Sequence, residues 1–181
     1  SGLRNGKVFF IHPIYGMVVY ENGQWHKRNT GLQEIPVYGH RIWDFGLHQE
    51  WTLVSSVKNG LGWLYLSKDD GLNWTPVSGV GLNQGYGACY GKFLGNRLYS
   101  WGPNNNNPEA YYSDNFGQEW KPLPVKGSIY QTFLVVGDNH AIIKGQDAWY
   151  MHQGDSLIKA VGLPLNASFR PLVESGNRLF I

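Results

Sequence analysis

Five short apolar runs, each preceded by a turn, recur along this chain at intervals of about 40–45 residues. They are NGKVFFI (5–11), EWTLVSS (50–56), GNRLYSW (95–101), DNHAIIK (138–144) and GNRLFI (176–181). Repetition at this spacing restricts the fold to architectures that stack one supersecondary unit on the next. We therefore predict a single repeat domain over 1–181, with units near 5–37, 38–85, 86–129 and 130–168 and a partial unit at 169–181.

A hairpin pattern follows every run except the last. The four hairpins are GMVVYENGQWHKRN, GWLYLSKDDGLNWTPV, AYYSDNFGQEWKPL and AWYMHQGDSLIKAV. Each has a polar turn with a glycine, which supplies the positive φ that such turns require. The chain has 24 Gly and 15% aromatic residues, and no segment keeps the i, i+3, i+4, i+7 apolar spacing of a helix. These features predict an all-β fold.

The predicted unit is a four-stranded antiparallel sheet, because a further segment precedes each run from the second to the fifth. These segments begin at Tyr38, Tyr86, Tyr130 and Phe169. A small sheet cannot cover both of its faces, and stacking several sheets around an axis, as in a β-propeller, covers them. The pattern suggests that the chain starts at the second strand of its first sheet and stops after the second strand of its fifth. We therefore expect about four blades of a larger propeller, or a propeller completed by another chain or a homo-oligomer; the alternative is a four-bladed ring with a displaced terminus.

Two of the hairpin turns share a pattern that ends on a tryptophan. It is Ser67-x-Asp69-x-Gly71-x-x-Trp74 in one and Ser113-x-Asn115-x-Gly117-x-x-Trp120 in the other. A short Asp or Asn side chain can accept hydrogen bonds from turn amides, and the indole can anchor the turn by burying a large apolar area. The pattern resembles the Asp-box, or BNR repeat, of sialidase-like β-propellers. The resemblance implies a structural role for these residues at the outer edge of the blades. The other two hairpins have lost the motif, and only Trp25 keeps its position.

Propellers bind ligands on the face that carries the fourth-to-first and second-to-third strand connections. Aromatic rings pack on the C–H surfaces of sugars, and amides hydrogen-bond to hydroxyl groups. The candidate ligand-binding residues on these connections are Tyr38, His40, Arg41, Asp44, Tyr86, Tyr90, Tyr130, Gln131 and Arg170, with His12 and Tyr15 as further candidates. For Tyr38, Tyr86 and Tyr130 the alternative is a packing layer, because an aromatic residue recurs there in each unit. For His40 and Arg41 the alternative is a solvated pair.

Two functional classes remain. The first is a non-catalytic recognition module for a glycan or a protein partner. The second is part of a sialidase-like glycoside hydrolase whose other blades supply the catalytic residues. The sequence favours the first, because its few acidic residues are scattered and no pair of carboxylates is evident.

No metal-ligand spacing and no nucleotide-binding loop is present, so we predict no catalytic residue, metal or cofactor in this chain. The net charge of +2 gives no reason to expect nucleic acid, and no apolar run is long enough for a membrane span. The single cysteine, Cys89, excludes an intrachain disulfide. The compartment stays open among secreted, cell-surface and virion-surface locations.

Overall fold

The computed structural model describes residues 1–12, 14–32, 40–58, 61–77, 90–101, 110–125, 134–136, 141–145, 147–161, 173–175 and 178–180. For 40–44, 57–58, 61–62, 134–136, 173–175 and 178–180 only the backbone is described. These residues form eighteen β-strands, and the described ranges contain no helix. The all-β prediction is confirmed.

Sixteen of the strands form four antiparallel sheets of four strands, and in each sheet the spatial order of the strands follows the chain. Sheet 1 contains β1 (Gly2–Arg4), β2 (Lys7–His12), β3 (Gly16–Glu21) and β4 (Gln24–Lys27). Sheet 2 contains β5 (His40–His48), β6 (Trp51–Lys58), β7 (Leu61–Ser67) and β8 (Thr75–Pro76). Sheet 3 contains β9 (Tyr90–Leu94), β10 (Arg97–Trp101), β11 (Ala110–Ser113) and β12 (Lys121–Pro122). Sheet 4 contains β13 (Leu134–Val136), β14 (Ala141–Lys144), β15 (Trp149–Gln153) and β16 (Ser156–Ala160). The remaining strands, β17 (Val173–Ser175) and β18 (Arg178–Phe180), pair with each other.

Sheet 1 has a first strand that the sequence pattern did not predict. In β1, Leu3 is opposite Val8 of β2, so the expectation that the chain starts at the second strand is wrong. Three residues are too few to show an alternating pattern. The local feature that indicates this strand is the turn at Asn5 and Gly6, where φ is 50° and 75°. Two successive positive φ angles are typical of a two-residue hairpin turn.

The four sheets stack on one another in chain order. On β6, Val54 packs in a cluster with sheet 1, and its neighbour Leu53 packs in a cluster with sheet 3. On β10, Leu98 packs with sheet 2 and Tyr99 with sheet 4. This is the alternation of a strand whose two faces are both buried. We call the side of a sheet that meets the preceding sheet its backward face, and the side that meets the following sheet its forward face.

Three hydrophobic clusters fill the spaces between consecutive sheets. Between sheets 1 and 2 the buried members are Phe9, Met17, Val19, Leu32, Val54, Tyr65 and Trp74. Between sheets 2 and 3 they are Leu53, Leu64, Leu66, Val77, Leu98, Tyr111 and Trp120. Between sheets 3 and 4 they are Tyr99, Ala110, Tyr112, Leu123, Ala141 and Ile143. Sheets 2 and 3 are therefore covered on both faces.

Sheets 1, 2 and 3 point in the same direction. The Arg4 guanidinium donates to the carbonyl of Gln49 at 3.0 Å, and the Gln49 amide donates to Asn96 Oδ1 at 3.2 Å. These contacts link the turns between first and second strands in three consecutive sheets. We call the end of the sheets that carries these turns and the third-to-fourth turns the hairpin end. The opposite end, where β2 ends at His12 and β10 ends at Trp101, is the loop end.

Candidate functional site

The turn at residues 67–74 is held together by the side chains of Ser67 and Asp69. The Ser67 hydroxyl donates to Asp69 Oδ1 at 2.7 Å and accepts from the Gly71 amide at 2.9 Å. Asp69 Oδ1 also accepts from the Asn73 amide at 2.9 Å, and Oδ2 accepts from Asn73 Nδ2 at 2.8 Å. Burial raises the pKa of Asp69, but these hydrogen bonds outweigh it and the pKa lies below its usual value. Both oxygens of the Asp69 carboxylate therefore take part in hydrogen bonds within the turn.

The turn at residues 113–120 repeats this arrangement with an amide in place of the carboxylate. The Ser113 hydroxyl donates to Asn115 Oδ1 at 2.9 Å and accepts from the Gly117 amide at 2.8 Å. Asn115 Oδ1 accepts from the Glu119 amide at 2.9 Å. An oxygen acceptor at this position is sufficient for the main-chain contacts, and a negative charge is not required for them.

Each of the two tryptophans packs its turn against the preceding sheet. Trp74 is 4% exposed, and its indole Nε1 donates to the carbonyl of Arg28, which follows β4 of sheet 1, at 2.7 Å. Trp120 lies in the cluster between sheets 2 and 3, and its indole donates to Gly117 of its own turn at 3.1 Å. A Cβ on Gly117 would come within 2.7 Å of Val77, which follows β8 of sheet 2. We call residues 67–74 and 113–120 the indole-anchored turns.

Trp25 of sheet 1 differs from these two residues. It lies in β4, 57% exposed, with its ring centroid 6.5 Å from that of Phe10 and 5.2 Å from that of Tyr20. Its turn is the short Asn22-Gly23 pair, in which both φ angles are positive. Trp25 therefore belongs to an exposed aromatic surface of sheet 1.

Further contacts at the hairpin end join the start of each second strand to the third-to-fourth turn of the next sheet. Asp70, in the first indole-anchored turn, accepts from Arg4 and Lys7 of sheet 1, both at 2.5 Å. Burial raises the pKa of Asp70, but the two cations outweigh it and the pKa is lowered. Between sheets 2 and 3, Trp51 stacks on Phe116 with centroids 4.7 Å apart.

The same position between sheets 3 and 4 is occupied by Arg97. Its Nε donates to Asp114 at 2.6 Å, and its other nitrogens contact the carbonyl of Gly154 and Asp155 of the sheet 4 turn. The guanidinium also lies over the Tyr112 ring, 4.5 Å from the centroid. At all three interfaces, the start of a second strand therefore contacts the third-to-fourth turn of the next sheet. The contact is an ion pair between sheets 1 and 2 and between sheets 3 and 4, and an aromatic stack between sheets 2 and 3.

Sheet 4 carries a buried histidine that contacts sheet 3. His152 is 3% exposed, and its Nδ1 is 2.8 Å from the Tyr99 hydroxyl. The ring also packs on Tyr112, with centroids 4.6 Å apart. Burial lowers the pKa of His152, and the positive charge of Arg97 lowers it further. The imidazole is thus held in its neutral form inside the interface.

The loop end of sheet 1 presents a compact aromatic group. His12, the last residue of β2, stacks on Tyr15 with centroids 4.5 Å apart, and its Nδ1 accepts from the Tyr15 amide at 3.1 Å. Lys27 Nζ lies 4.4 Å from the centroid of the Tyr15 ring, which is 47% exposed. Asn29 fixes the connection, since its Nδ2 donates to the Tyr15 carbonyl at 2.6 Å and its Oδ1 accepts from the Met17 amide at 3.0 Å.

The loop end of sheet 3 presents a second aromatic pair. Tyr90, the first residue of β9, lies opposite Trp101, the last residue of β10. Their rings stack with centroids 5.7 Å apart. Both side chains are partly exposed. Trp101 was not among the sequence candidates; the signal that could have identified it is its place at the end of the GNRLYSW run, directly before a connection of the predicted face.

Three further candidates lie on the first strand of sheet 2. His40 and Arg41 are the first two residues of β5, so their backbone is at the loop end, and Asp44 follows a register shift between Ile42 and Asp44. The pairing shifts from Ile42–Ser56 to Asp44–Ser55, so one extra residue is accommodated, as in a β-bulge. Five predicted ligand-binding residues lie outside the described residues: Tyr38, Tyr86, Tyr130, Gln131 and Arg170.

Two cavities at the hairpin end are lined by described residues. The larger, about 630 Å³, lies between the two indole-anchored turns and is lined by Trp51, Asp69, Pro76 and Phe116 among others. The smaller, about 290 Å³, lies between sheets 3 and 4 and is lined by Arg97, Tyr99, His152 and Gly154 among others. Neither cavity was anticipated from the sequence, because each forms between residues that are far apart along the chain.

The described carboxyl groups with a shifted pKa all shift downwards. They are Asp69, Asp70, Asp114 and Asp147. A general acid in glycoside hydrolysis needs the opposite shift. Within the same described ranges no group of three or more His, Cys, Asp or Glu side chains could hold a metal ion. No helix long and apolar enough to cross a membrane occurs among those residues either.

Comparisons with known proteins leave the family open. No protein-family model matches the chain, and the comparison with curated proteins gives no significant match.

Proposed function

We propose that this chain is an Asp-box β-propeller, or a segment of one, and that it acts as a non-catalytic recognition module that binds a glycan at its loop end. The propeller part of the proposal is supported by four sheets of one topology that stack in chain order and point the same way. The indole-anchored turns support the Asp-box assignment, since both use the same Ser and Asp or Asn contacts at equivalent positions.

The observation that carries the recognition proposal is the clustering of partly exposed aromatic residues at the loop end. Tyr15 with His12 and Lys27, and Tyr90 with Trp101, lie at the same end of sheets that point in one direction. His40 and Arg41, the first two residues of β5, lie at the same end of sheet 2. Partly exposed rings beside cationic and imidazole groups suit a sugar, whose C–H faces pack on aromatics while its hydroxyl or carboxylate groups take hydrogen bonds.

A glycan array followed by saturation-transfer NMR on the best ligand tests this proposal. We expect binding to the unmodified chain, and a loss of about tenfold or more for Tyr15→Ala and for Arg41→Ala, the loss typical of a residue that contacts its ligand. The control is Leu72→Ser, an exposed residue of the first indole-anchored turn at the hairpin end, which should bind as the unmodified protein does.

The same samples distinguish the alternatives. Turnover of a fluorogenic sialoside that disappears in Arg41→Ala would replace the recognition proposal with the hydrolase. No glycan binding, together with a protein partner whose binding is lost in both variants, would keep the loop end as the site but change the ligand class. Binding that Tyr15→Ala and Arg41→Ala leave unchanged would refute the loop end as the site.

A further inference from the structure

His152 of sheet 4 lies among charged and polar side chains of sheets 3 and 4. They are Arg97, Tyr99, Tyr112, Asp114 and Lys121 of sheet 3, and Asp155 of the sheet 4 turn. We call these six residues and His152 the His152 cluster. Other charges on the two facing surfaces lie outside it. Lys92 of β9 faces sheet 4 but is exposed. Tyr150 and Lys159, on the face that meets sheet 3, both pair with Asp147.

The charges of the His152 cluster balance when the imidazole is neutral. Arg97 forms ion pairs with Asp114 at 2.6 Å and with Asp155 at 3.2 Å. Lys121 pairs with Asp114 at 3.2 Å. Two cations thus face two carboxylates. A proton on His152 would add a third positive charge to the cluster, on a ring that is only 3% exposed. Burying such a charge without a carboxylate of its own is unfavourable.

The hydrogen bonds of the cluster require the same neutral state. Arg97 carries donors only and is a hydrogen-bond partner of Tyr99, so the Tyr99 oxygen accepts from it. The Tyr99 O–H is then directed at His152 Nδ1, 2.8 Å away, which accepts through its lone pair. Burial raises the pKa of Tyr99, so the hydroxyl keeps its proton. A proton on Nδ1 would place one donor against another in the middle of the interface.

The corresponding position in the other two interfaces does not titrate. It belongs to Ser67 and Ser113, whose hydroxyls bond within their own turns. Asp70, which joins sheets 1 and 2, has a lowered pKa and keeps its charge in mild acid. His48, which contacts Asn96 between sheets 2 and 3, is partly exposed, so its protonation buries no charge. Sensitivity to mild acid is therefore expected between sheets 3 and 4.

The smaller of the two cavities gives a proton access to the imidazole. It lies at the hairpin end, and Arg97, Tyr99, His152 and Gly154 are among the residues that line it. Its volume of about 290 Å³ has room for several water molecules of about 30 Å³ each. A proton therefore reaches His152 through water, and the sheets need not separate first.

We propose that the interface between sheets 3 and 4 is an acid-sensitive joint: in mildly acidic solution His152 takes up a proton and sheet 4 separates from sheet 3, while sheets 1, 2 and 3 stay packed. Histidine is the side chain whose ordinary pKa, near 6.5, lies in this range. Among the described buried polar side chains, His152 is the only histidine. The inference does not depend on a ligand at the loop end.

The direction of the pH effect follows from the two states of the joint. In the closed form, burial and then the charge of Arg97 lower the pKa of His152. In the open form the imidazole is in water and its pKa is ordinary. The open form therefore binds the proton more readily, and opening increases as pH falls below about 6.5.

Hydrogen exchange at pH 7 and pH 5, corrected for the intrinsic rate at each pH, tests the joint. Protection of β14 and β15 should fall relative to that of β6, by up to about twenty-fivefold, the limit for one group of ordinary pKa near 6.5 in the open form. His152→Gln should remove this fall. The matched control is His48→Gln, which changes a partly exposed histidine of another interface and should keep it.

Three outcomes would overturn the proposal. Protection of β15 that is the same at both pH values would show that the joint does not open. An equal fall in β6 and β15 would show that the sheets open together, so sheet 4 is not released separately. A fall in β15 that persists in His152→Gln would assign the acid response to another group. The comparison of β15 with β6 in the unmodified chain decides the matter even if His152→Gln does not fold.

Discussion

His152 shows how one residue can replace a motif. In sheets 2 and 3 the corresponding backward-facing position at the end of the third strand is occupied by Ser67 and Ser113, which organise the indole-anchored turns. Sheet 4 has no such turn, and His152 instead bonds to Tyr99 and packs on Tyr112 of sheet 3. The contact with the preceding sheet is thereby kept, but through a group that can take up a proton.

We predict a pH-dependent stability that originates at His152. Burial and the charge of Arg97 lower its pKa in the folded protein, so the unfolded chain binds the proton more readily. The free energy of unfolding should be constant with respect to this group above pH of about 6.5 and decrease as pH falls below that value, by at most about 1.4 kcal/mol per pH unit. Urea unfolding between neutral and mildly acidic pH measures this slope.

His152→Gln is the variant that isolates this residue, since the side-chain amide of Gln does not titrate and can either donate to or accept from the Tyr99 hydroxyl. It should have a flatter pH dependence than the unmodified chain over the same range. His26→Gln is the control, because His26 lies in β4 of sheet 1, away from sheets 3 and 4. An unchanged slope in His152→Gln would show that the acid sensitivity has another origin.

At the scale of elements, the first indole-anchored turn makes a direct backbone contact with the segment that follows the fourth strand of sheet 1. The Trp74 amide donates to the Thr30 carbonyl at 2.9 Å, and its indole donates to the Arg28 carbonyl at 2.7 Å. Gly31, which directly follows Thr30, has φ of 88°. A Cβ there would collide with the Trp74 carbonyl oxygen, so only glycine fits.

Gly31→Ala and Gly23→Ala form a matched pair. Gly23 has φ of 82° and no atom within 4 Å of an added Cβ, so its substitution should cost only the strain of a left-handed alanine, about 1–2 kcal/mol. Gly31→Ala adds the collision with Trp74 and the loss of the hydrogen bond between the Trp74 amide and the Thr30 carbonyl. It should therefore cost at least about 2 kcal/mol more. Denaturant unfolding of both variants measures the difference, and equal losses would contradict the assigned contact.

The sequence predicted the local elements well, because their signals are local. The hairpin strands β3 and β4 and the Asn22-Gly23 turn follow from alternation and turn residues a few positions apart. Such local patterns could not predict the contacts between sheets. The hydrogen bond from Arg4 to Asp70 joins residues 66 positions apart, and nothing near either residue indicates the other. The strand β1 was missed for a different reason, since its three residues carry no period.

The candidate site was predictable only in outline. Tyr90 was selected because it lies on the connection that leads into the first strand of its unit, and the structure has it stacked on Trp101 at the loop end. Its place along the chain could not tell whether such a residue packs or binds, because either role is compatible with that place. His152 was not singled out at all, since a lone histidine in a strand carries no sign of its partners.

At the scale of the whole molecule, the four sheets form a series in chain order in which each one buries a face of the next. Such a series has stability contributions from each unit and from each interface between neighbours. Sheets 2 and 3 take part in two interfaces each, whereas sheet 1 is covered on its forward face and exposes Phe10, Tyr20 and Trp25 on the other. Resistance to local opening should therefore differ along the series.

Hydrogen exchange measured by mass spectrometry tests this difference. Amides of β6 and β10 should exchange more slowly than those of β3, because opening sheet 2 or 3 disrupts two clusters and opening sheet 1 disrupts one. Equal protection of β3 and β6 would mean that the four sheets open as one cooperative unit, and the description of the molecule as a series of separable interfaces would then be wrong.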